Sequence, residues 1–107
     1  MNDLDQGKRE FETGRWSKAY RLFQTVLRDH GREARTLEVQ MLMAHCLAKM
    51  GEPEEAEVHL LEVKDELSQR DQALLAVFEA AWKELEDTRR LTPAELKRRR
   101  ELARGEN

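Results

Sequence analysis

The amino-acid sequence predicts an all-α fold of about six helices joined as hairpins, and three observations support this. Apolar residues recur at spacings of three and four along most of the chain, as on one face of a helix. Charged residues make up 38% of the sequence, with 5 glycines and 2 prolines, a composition typical of long helices. The pattern of the first hairpin also recurs 37 residues later. At 107 residues the chain is expected to form one domain.

The first hairpin is predicted from about residue 3 to residue 30. Its first helix carries Leu4, Gly7 and Phe11 on one face and ends at Gly14. Its second helix has an apolar stripe at helical spacing, so one side faces a core and the other faces water. The stripe consists of Trp16, Ala19, Phe23, Val26 and Leu27.

The second hairpin, from about residue 34 to residue 68, contains the central helix of the fold. That helix is apolar on nearly every side, so neighbours should cover it from several directions. Gly51 ends it in a left-handed conformation, and Pro53 suits the first turn of the next helix. The residues that make the central helix apolar are Met41, Leu42, Met43, Ala44, Cys46, Leu47, Ala48 and Met50, and the next helix carries Ala56, Leu60, Val63 and Leu67.

The last part of the chain, about residues 71–104, is predicted to hold a degenerate third repeat and a C-terminal capping helix. Asp71 is the predicted N-cap of a helix with Leu74, Leu75, Phe78, Trp82 and Leu85 on its inner side. Thr92-Pro93-Ala94-Glu95 is a capping-box signature, which predicts the start of the last helix.

The two hairpins match at a constant offset of 37 residues, which indicates an internal repeat. Small residues align at one position of the first helices, and large apolar residues align three positions earlier. The register fails at Thr88, which replaces the turn glycine, so the end of the chain reads as a cap. The aligned sets are Gly14 with Gly51, Ala19 with Ala56, Phe23 with Leu60, Val26 with Val63, then Gly7, Ala44 and Ala81, and then Leu4, Met41 and Phe78.

This pattern resembles the tetratricopeptide-repeat family over roughly residues 3–88. Gly7, Gly14, Trp16, Ala19 and Phe23 match the family in the first repeat, and Ala44, Leu47, Gly51, Ala56 and Leu60 match it in the second. Pro53 departs from the family's usual aromatic residue, and the period is about three residues longer than the usual one. The resemblance implies a short right-handed solenoid with the last helix as a cap. Another kind of helical-hairpin repeat is the alternative.

The resemblance also implies a binding groove on the inner face formed by the first helices. The family's inner positions correspond to Leu4, Lys8, Phe11, Met41, Leu42, His45, Ala48, Phe78, Trp82 and Leu85. This set is largely apolar and contains one lysine, so a clamp for a partner's C-terminal carboxylate is rejected. A helical or extended peptide segment with apolar anchors is the expected ligand. The alternative is that these residues are core, covered by the chain itself or by a second copy.

A non-catalytic protein–protein interaction module, such as an adaptor, scaffold or co-chaperone, is therefore the predicted function. The alternatives are a self-associating homodimeric module and a nucleic-acid-associated factor. The last alternative rests on a basic patch in residues 89–104, whose local net charge is +5 in a chain of net charge −3. A solvated capping helix explains the same charges. The patch consists of Arg89, Arg90, Lys97, Arg98, Arg99 and Arg100.

No catalytic, cofactor-binding or metal-binding residues are predicted. His45 and Cys46 are adjacent, so on a helix they point about 100° apart and cannot form a nucleophile–base pair. Cys46 is expected to be a buried small residue. Glu55 and His59 are four apart, but two ligands do not make a zinc site. The absence of a spanning apolar run or an apolar leader and the single cysteine predict a cytoplasmic protein without membrane insertion.

Overall fold

Six α-helices make up the fold in a computed structural model, which describes residues 2–30 and 36–105. Within these ranges there is no β-strand, which confirms the all-α prediction. The helices are α1 (Asp3–Glu12), α2 (Trp16–His30), α3 (Thr36–Lys49), α4 (Pro53–Lys64), α5 (Gln72–Arg89) and α6 (Pro93–Arg104).

The helix ends follow the local signals in the sequence. Gly14 and Gly51 adopt φ values of +80° and +82° at the ends of α1 and α3, a conformation that glycine adopts without strain. The Asp71 side chain accepts a hydrogen bond from the Leu74 N–H over 3.1 Å, which confirms the N-cap of α5. At the start of α6, Thr92 and the residue three positions later form the reciprocal capping box.

The second helix of the second hairpin ends earlier than the sequence predicts. The predicted end near residue 68 is wrong by about one turn, because α4 ends at Lys64. The N–H groups of Glu66 and Leu67 bond to carbonyls three residues back, so the last turn tightens and the helix does not continue. The predicted start at residue 34 lies outside the described residues.

Packing follows chain order around α3. α1 pairs with α2, α3 pairs with α4, and α3 also contacts α2 and α5. α3 is therefore covered on several sides, as its apolar composition predicts, and Cys46 is buried within it. At Gly7, an added Cβ would lie 2.7 Å from the ring of Phe23, so only glycine allows this approach of α1 to α2. The largest fully buried apolar side chains are Phe23, Met41, Leu60 and Leu85.

α6 lies across the α3–α4 turn and the start of α2 and does not run along α5. Its backbone comes so close to Gly51 that an added Cβ there would lie 2.6 Å from the Leu96 carbonyl oxygen. Arg100 donates a hydrogen bond to the Gly51 carbonyl over 3.1 Å. α6 thus covers the end of the central helix.

Candidate protein-binding surface

Three aromatic rings pack together where α1, α2 and α3 meet, and two of them, Phe11 and His45, belong to the groove predicted from the sequence. The Phe11 ring lies 4.8 Å from the His45 ring and 5.2 Å from the Trp16 ring, edge to face in both cases. The rings of Trp16 and His45 are nearly parallel at 5.9 Å. These geometries are favourable for aromatic pairs. We call Phe11, Trp16 and His45 the aromatic cluster. In this cluster the His45 ring lies against the rings of both Phe11 and Trp16.

Lys49, one turn beyond His45, lies between the aromatic cluster and α5. Its Nζ atom lies 5.5 Å from the centre of the Trp16 ring, and it forms an ion pair with Glu84, which is only 8% exposed. Burial lowers the pKa of His45; Glu84 opposes this effect and Lys49 adds to it. The lowered pKa favours the neutral form of the His45 imidazole.

The other inner positions on α1 and α3 contribute little open apolar surface. Lys8 forms an ion pair with Glu38 over 3.2 Å. Leu4 is partly buried against the core.

Three further members of the predicted groove, together with Ala48, face the interior. Met41, Ala48 and Leu85 are fully buried, and Leu42 is 9% exposed. These side chains face inward because α2, α4 and α5 all pack against α3. The structure therefore assigns them to the core of the chain.

Phe78 and Trp82 lie on a different side of α5 from Glu84. Residues two apart on a helix differ in direction by roughly 200°, so Trp82 points away from the side on which Glu84 meets Lys49. The rings of Phe78 and Trp82 stack 5.9 Å apart with an interplanar angle of 15°. Together with Lys64 of α4 they line a depression of about 260 Å³.

An exposed leucine lies on the same face of α4 as Lys64. Glu57, Leu61 and Lys64 are spaced by four and three residues, so they share one face of α4. Glu57 forms an ion pair with Arg89 of α5, and Lys64 borders the stacked rings further along. Leu61 lies between these two contacts and is 49% exposed. We call the surface formed by Leu61, Lys64, Phe78 and Trp82 the α4–α5 groove.

α6 does not pack along the two helices that form the α4–α5 groove. In the second hairpin, Met41 occupies the position equivalent to Phe78 and is fully buried. Phe78 and Trp82 are only partly buried, although they belong to the same apolar core.

The basic patch of the sequence is divided by the fold. Arg99 donates to the Ala48 carbonyl over 3.1 Å and to the Thr88 hydroxyl over 3.0 Å. Arg100 bonds to the α3–α4 turn, and Arg89 pairs with Glu57. The patch residues that remain exposed without such a contact are Arg90, Lys97 and Arg98.

Sequence reasoning missed Lys49 and Glu84 beside the aromatic cluster, and Leu61 and Lys64 in the α4–α5 groove. The contact of Lys49 with Trp16 and Glu84 joins residues far apart in the chain, and no local pattern signals it. Leu61 did have a signal, because it follows Leu60 directly. Adjacent residues on a helix point about 100° apart, so only one of the two leucines can face the α3 side.

Within residues 2–30 and 36–105, no group of three or more histidine, cysteine or acidic side chains is placed to hold a metal ion. No helix in the described ranges has the length and apolar character needed to cross a membrane. In comparisons with known proteins, no family model matches the sequence, and no curated protein and no solved structure matches it.

Proposed function

We propose that this chain is a non-catalytic protein–protein interaction module, serving as an adaptor, scaffold or co-chaperone, and that it binds a helical segment in the α4–α5 groove. Its hairpins are proposed to be similar to tetratricopeptide repeats stacked as a short right-handed solenoid. The observation that carries the proposal is the stacked pair of Phe78 and Trp82, left partly exposed where the equivalent Met41 is buried.

A helix is the form of ligand that this groove favours. Its walls are two packed helices, and an amphipathic helix can lay an apolar stripe between them. An aromatic side chain near the centre of an interface commonly contributes about 2 kcal/mol or more to binding, and Trp82 has that position. The nucleic-acid alternative has less support, since Arg89, Arg99 and Arg100 form contacts within the chain.

The test compares capture of partners from the source cell by the wild type and by variants. Trp82→Ala should lose a partner that the wild type binds, and the purified pair should reproduce this loss. Leu61→Ser is a second groove variant, and because Leu61 is half exposed its substitution leaves the core intact. Leu102→Ala, at an exposed leucine on α6, is the matched control and should retain the partner.

Circular dichroism and sedimentation complete this test. Each variant should keep the helical content of the wild type. A wild type that dimerises alone, and loses the dimer on Leu61→Ser, would identify a second copy as the ligand. Partners retained equally by both groove variants would overturn the proposal.

A further inference from the structure

A row of exposed side chains with alternating charge runs along α5 beside the α4–α5 groove. Its members are spaced by four, three and four residues, so they share one face of the helix. The last of them, Arg90, caps α5 in a helical backbone conformation and therefore continues the row. We call this row the charge stripe. It consists of Glu79, Lys83, Glu86 and Arg90.

The side chains of the charge stripe are free to meet a partner. α5 forms its ion pairs at other positions, where Glu84 pairs with Lys49 and Arg89 pairs with Glu57. No member of the charge stripe forms an ion pair with another residue in the part of the chain that the structure describes. Attraction between neighbours along one helix contributes only about 0.2–0.5 kcal/mol per pair. Both signs of charge are therefore open to intermolecular contacts.

The order of these charges is self-complementary for a two-fold pair of helices. From Glu79 to Arg90 the signs read negative, positive, negative, positive, and in the opposite direction every sign is reversed. If a second α5 lies antiparallel with the partner's Arg90 opposite Glu79, the same register places the partner's Glu86 opposite Lys83, since both pairs share one midpoint. A two-fold axis forms each pair twice. One register thus matches every charge of both stripes.

The apolar residues beside the charge stripe fit the same arrangement. Leu75, Phe78 and Trp82 are spaced by three and four residues, so they form an apolar strip along α5. At about 100° per residue, Phe78 and Trp82 both point to the same side of Glu79, by about 100° and 60°. An antiparallel two-fold pair therefore places strip against strip and stripe against stripe. A parallel two-fold pair would place each charge stripe against the partner's apolar strip.

The same register brings the two tryptophans together near the two-fold axis. The partner's Trp82 then lies opposite Asp87, five residues along the helix from Trp82, which corresponds to about 7.5 Å. Leu61, which is 49% exposed, extends the apolar surface on the α4 side. Contiguous apolar surface of this kind is seldom left in water.

We propose that the helix bound at the α4–α5 groove is α5 of a second copy of this chain, packed antiparallel along α5 in a two-fold dimer. This inference rests on the proposed function and names the ligand of the groove. Trp82 supplies the apolar centre of the interface, and the charge stripe sets its direction and register. Complementary charges of this kind favour one pairing and disfavour others.

Exchange of the charges tests the inference, with sedimentation equilibrium of the full chain at low salt as the measurement. Glu79→Lys combined with Glu86→Lys makes the stripe wholly positive, and Lys83→Glu combined with Arg90→Glu makes it wholly negative. Each variant alone should dimerise at least about tenfold more weakly than the wild type, because four ion pairs become four like-charge contacts. An equimolar mixture of the two should dimerise to within about threefold of the wild type, since opposite charges meet again.

A matched control separates the stripe from net charge. Lys97→Glu combined with Arg98→Glu reverses two exposed cations of α6, the same change in net charge as in the wholly negative variant. This control should dimerise as the wild type does. Circular dichroism should show unchanged helical content in all three variants, since every substituted side chain is exposed.

The outcomes distinguish this inference from the proposed function. A wild type that is monomeric at every concentration, while Trp82→Ala still loses a cellular partner, would overturn the inference and leave the proposed function standing. A dimer that survives either charge reversal, or a mixture that does not recover, would overturn the antiparallel α5 pairing. If Trp82→Ala and Leu61→Ser change neither dimerisation nor partner capture, both proposals fail.

Discussion

The guanidinium of Arg99 donates a hydrogen bond to the backbone carbonyl of Ala48 over 3.1 Å, which joins the last helix to the end of the central one. The last carbonyls of a helix have no partner within it and carry partial negative charge, so a cation there is stabilising. The same guanidinium also bonds to the hydroxyl of Thr88 near the end of α5. One side chain thus connects α3, α5 and α6.

Arg99→Ala should lower the free energy of unfolding by about 1–3 kcal/mol, the usual range for a hydrogen bond that involves a charged group. Chemical denaturation measures the change. Arg98→Ala is the matched control, because Arg98 is the adjacent residue of the same type and is exposed. It should change stability by less than about 0.5 kcal/mol. Equal effects of the two substitutions would show that the contacts of Arg99 contribute nothing.

Gly51→Ala should destabilise the fold more than Gly14→Ala does. Both glycines have positive φ, so each substitution carries a similar backbone cost of about 1–2 kcal/mol. At Gly51 the new Cβ would also lie 2.6 Å from the Leu96 carbonyl, whereas at Gly14 the nearest atom is 4.0 Å away. Displacing α6 should add about 1–3 kcal/mol. Similar melting temperatures for the two variants would contradict the packing of α6 on this turn.

Stability should depend on pH through His45. Its pKa in the folded protein is lowered by burial, with Lys49 also lowering it and Glu84 opposing, so the unfolded chain binds a proton at higher pH than the folded one. Stability from this group is therefore fully present above the unfolded pKa of about 6.5 and decreases as pH falls towards the lower folded pKa.

His45→Gln provides the control for this dependence. The difference in free energy of unfolding between wild type and variant should be larger at about pH 7.5 than at about pH 5.5, because only the wild type has the imidazole to protonate. Comparing the two proteins removes the contributions of other titrating groups, which they share. A difference independent of pH would mean that His45 titrates alike in the folded and unfolded chains.

Duplex DNA should bind weakly, with a dissociation constant above about 1 µM at physiological salt. Three arginines of the basic patch are engaged within the fold, which leaves Arg90, Lys97 and Arg98 to contact phosphates. Fluorescence anisotropy measures the affinity. A nanomolar, strongly salt-dependent affinity that Lys97→Ala combined with Arg98→Ala removes would restore the nucleic-acid alternative.

The helices, and most of their ends, could be predicted because they depend on local chemistry. A helix N-terminus needs a side-chain acceptor for unpaired N–H groups, so Asp71 and Thr92 mark their positions in the sequence itself. A chain reversal with positive φ needs glycine, so Gly14 and Gly51 mark theirs. These signals act over about four residues, and the sequence alone determined them. The end of α4 carries no such signal, and there the prediction was wrong.

Tertiary structure decided which of the apolar side chains are buried and which stay exposed at the surface. A periodic pattern shows that Met41, Phe78 and Leu85 face a core, but it does not show whether a later helix covers each of them. α6 docks at Gly51, where Arg99 and Arg100 donate hydrogen bonds to carbonyls at the end of α3 and in its turn. This contact joins residues about fifty positions apart, and no spacing rule along the chain reports it. Neighbouring helices bury Met41 and Leu85 completely. Phe78 and Trp82, beside α4, stay partly exposed.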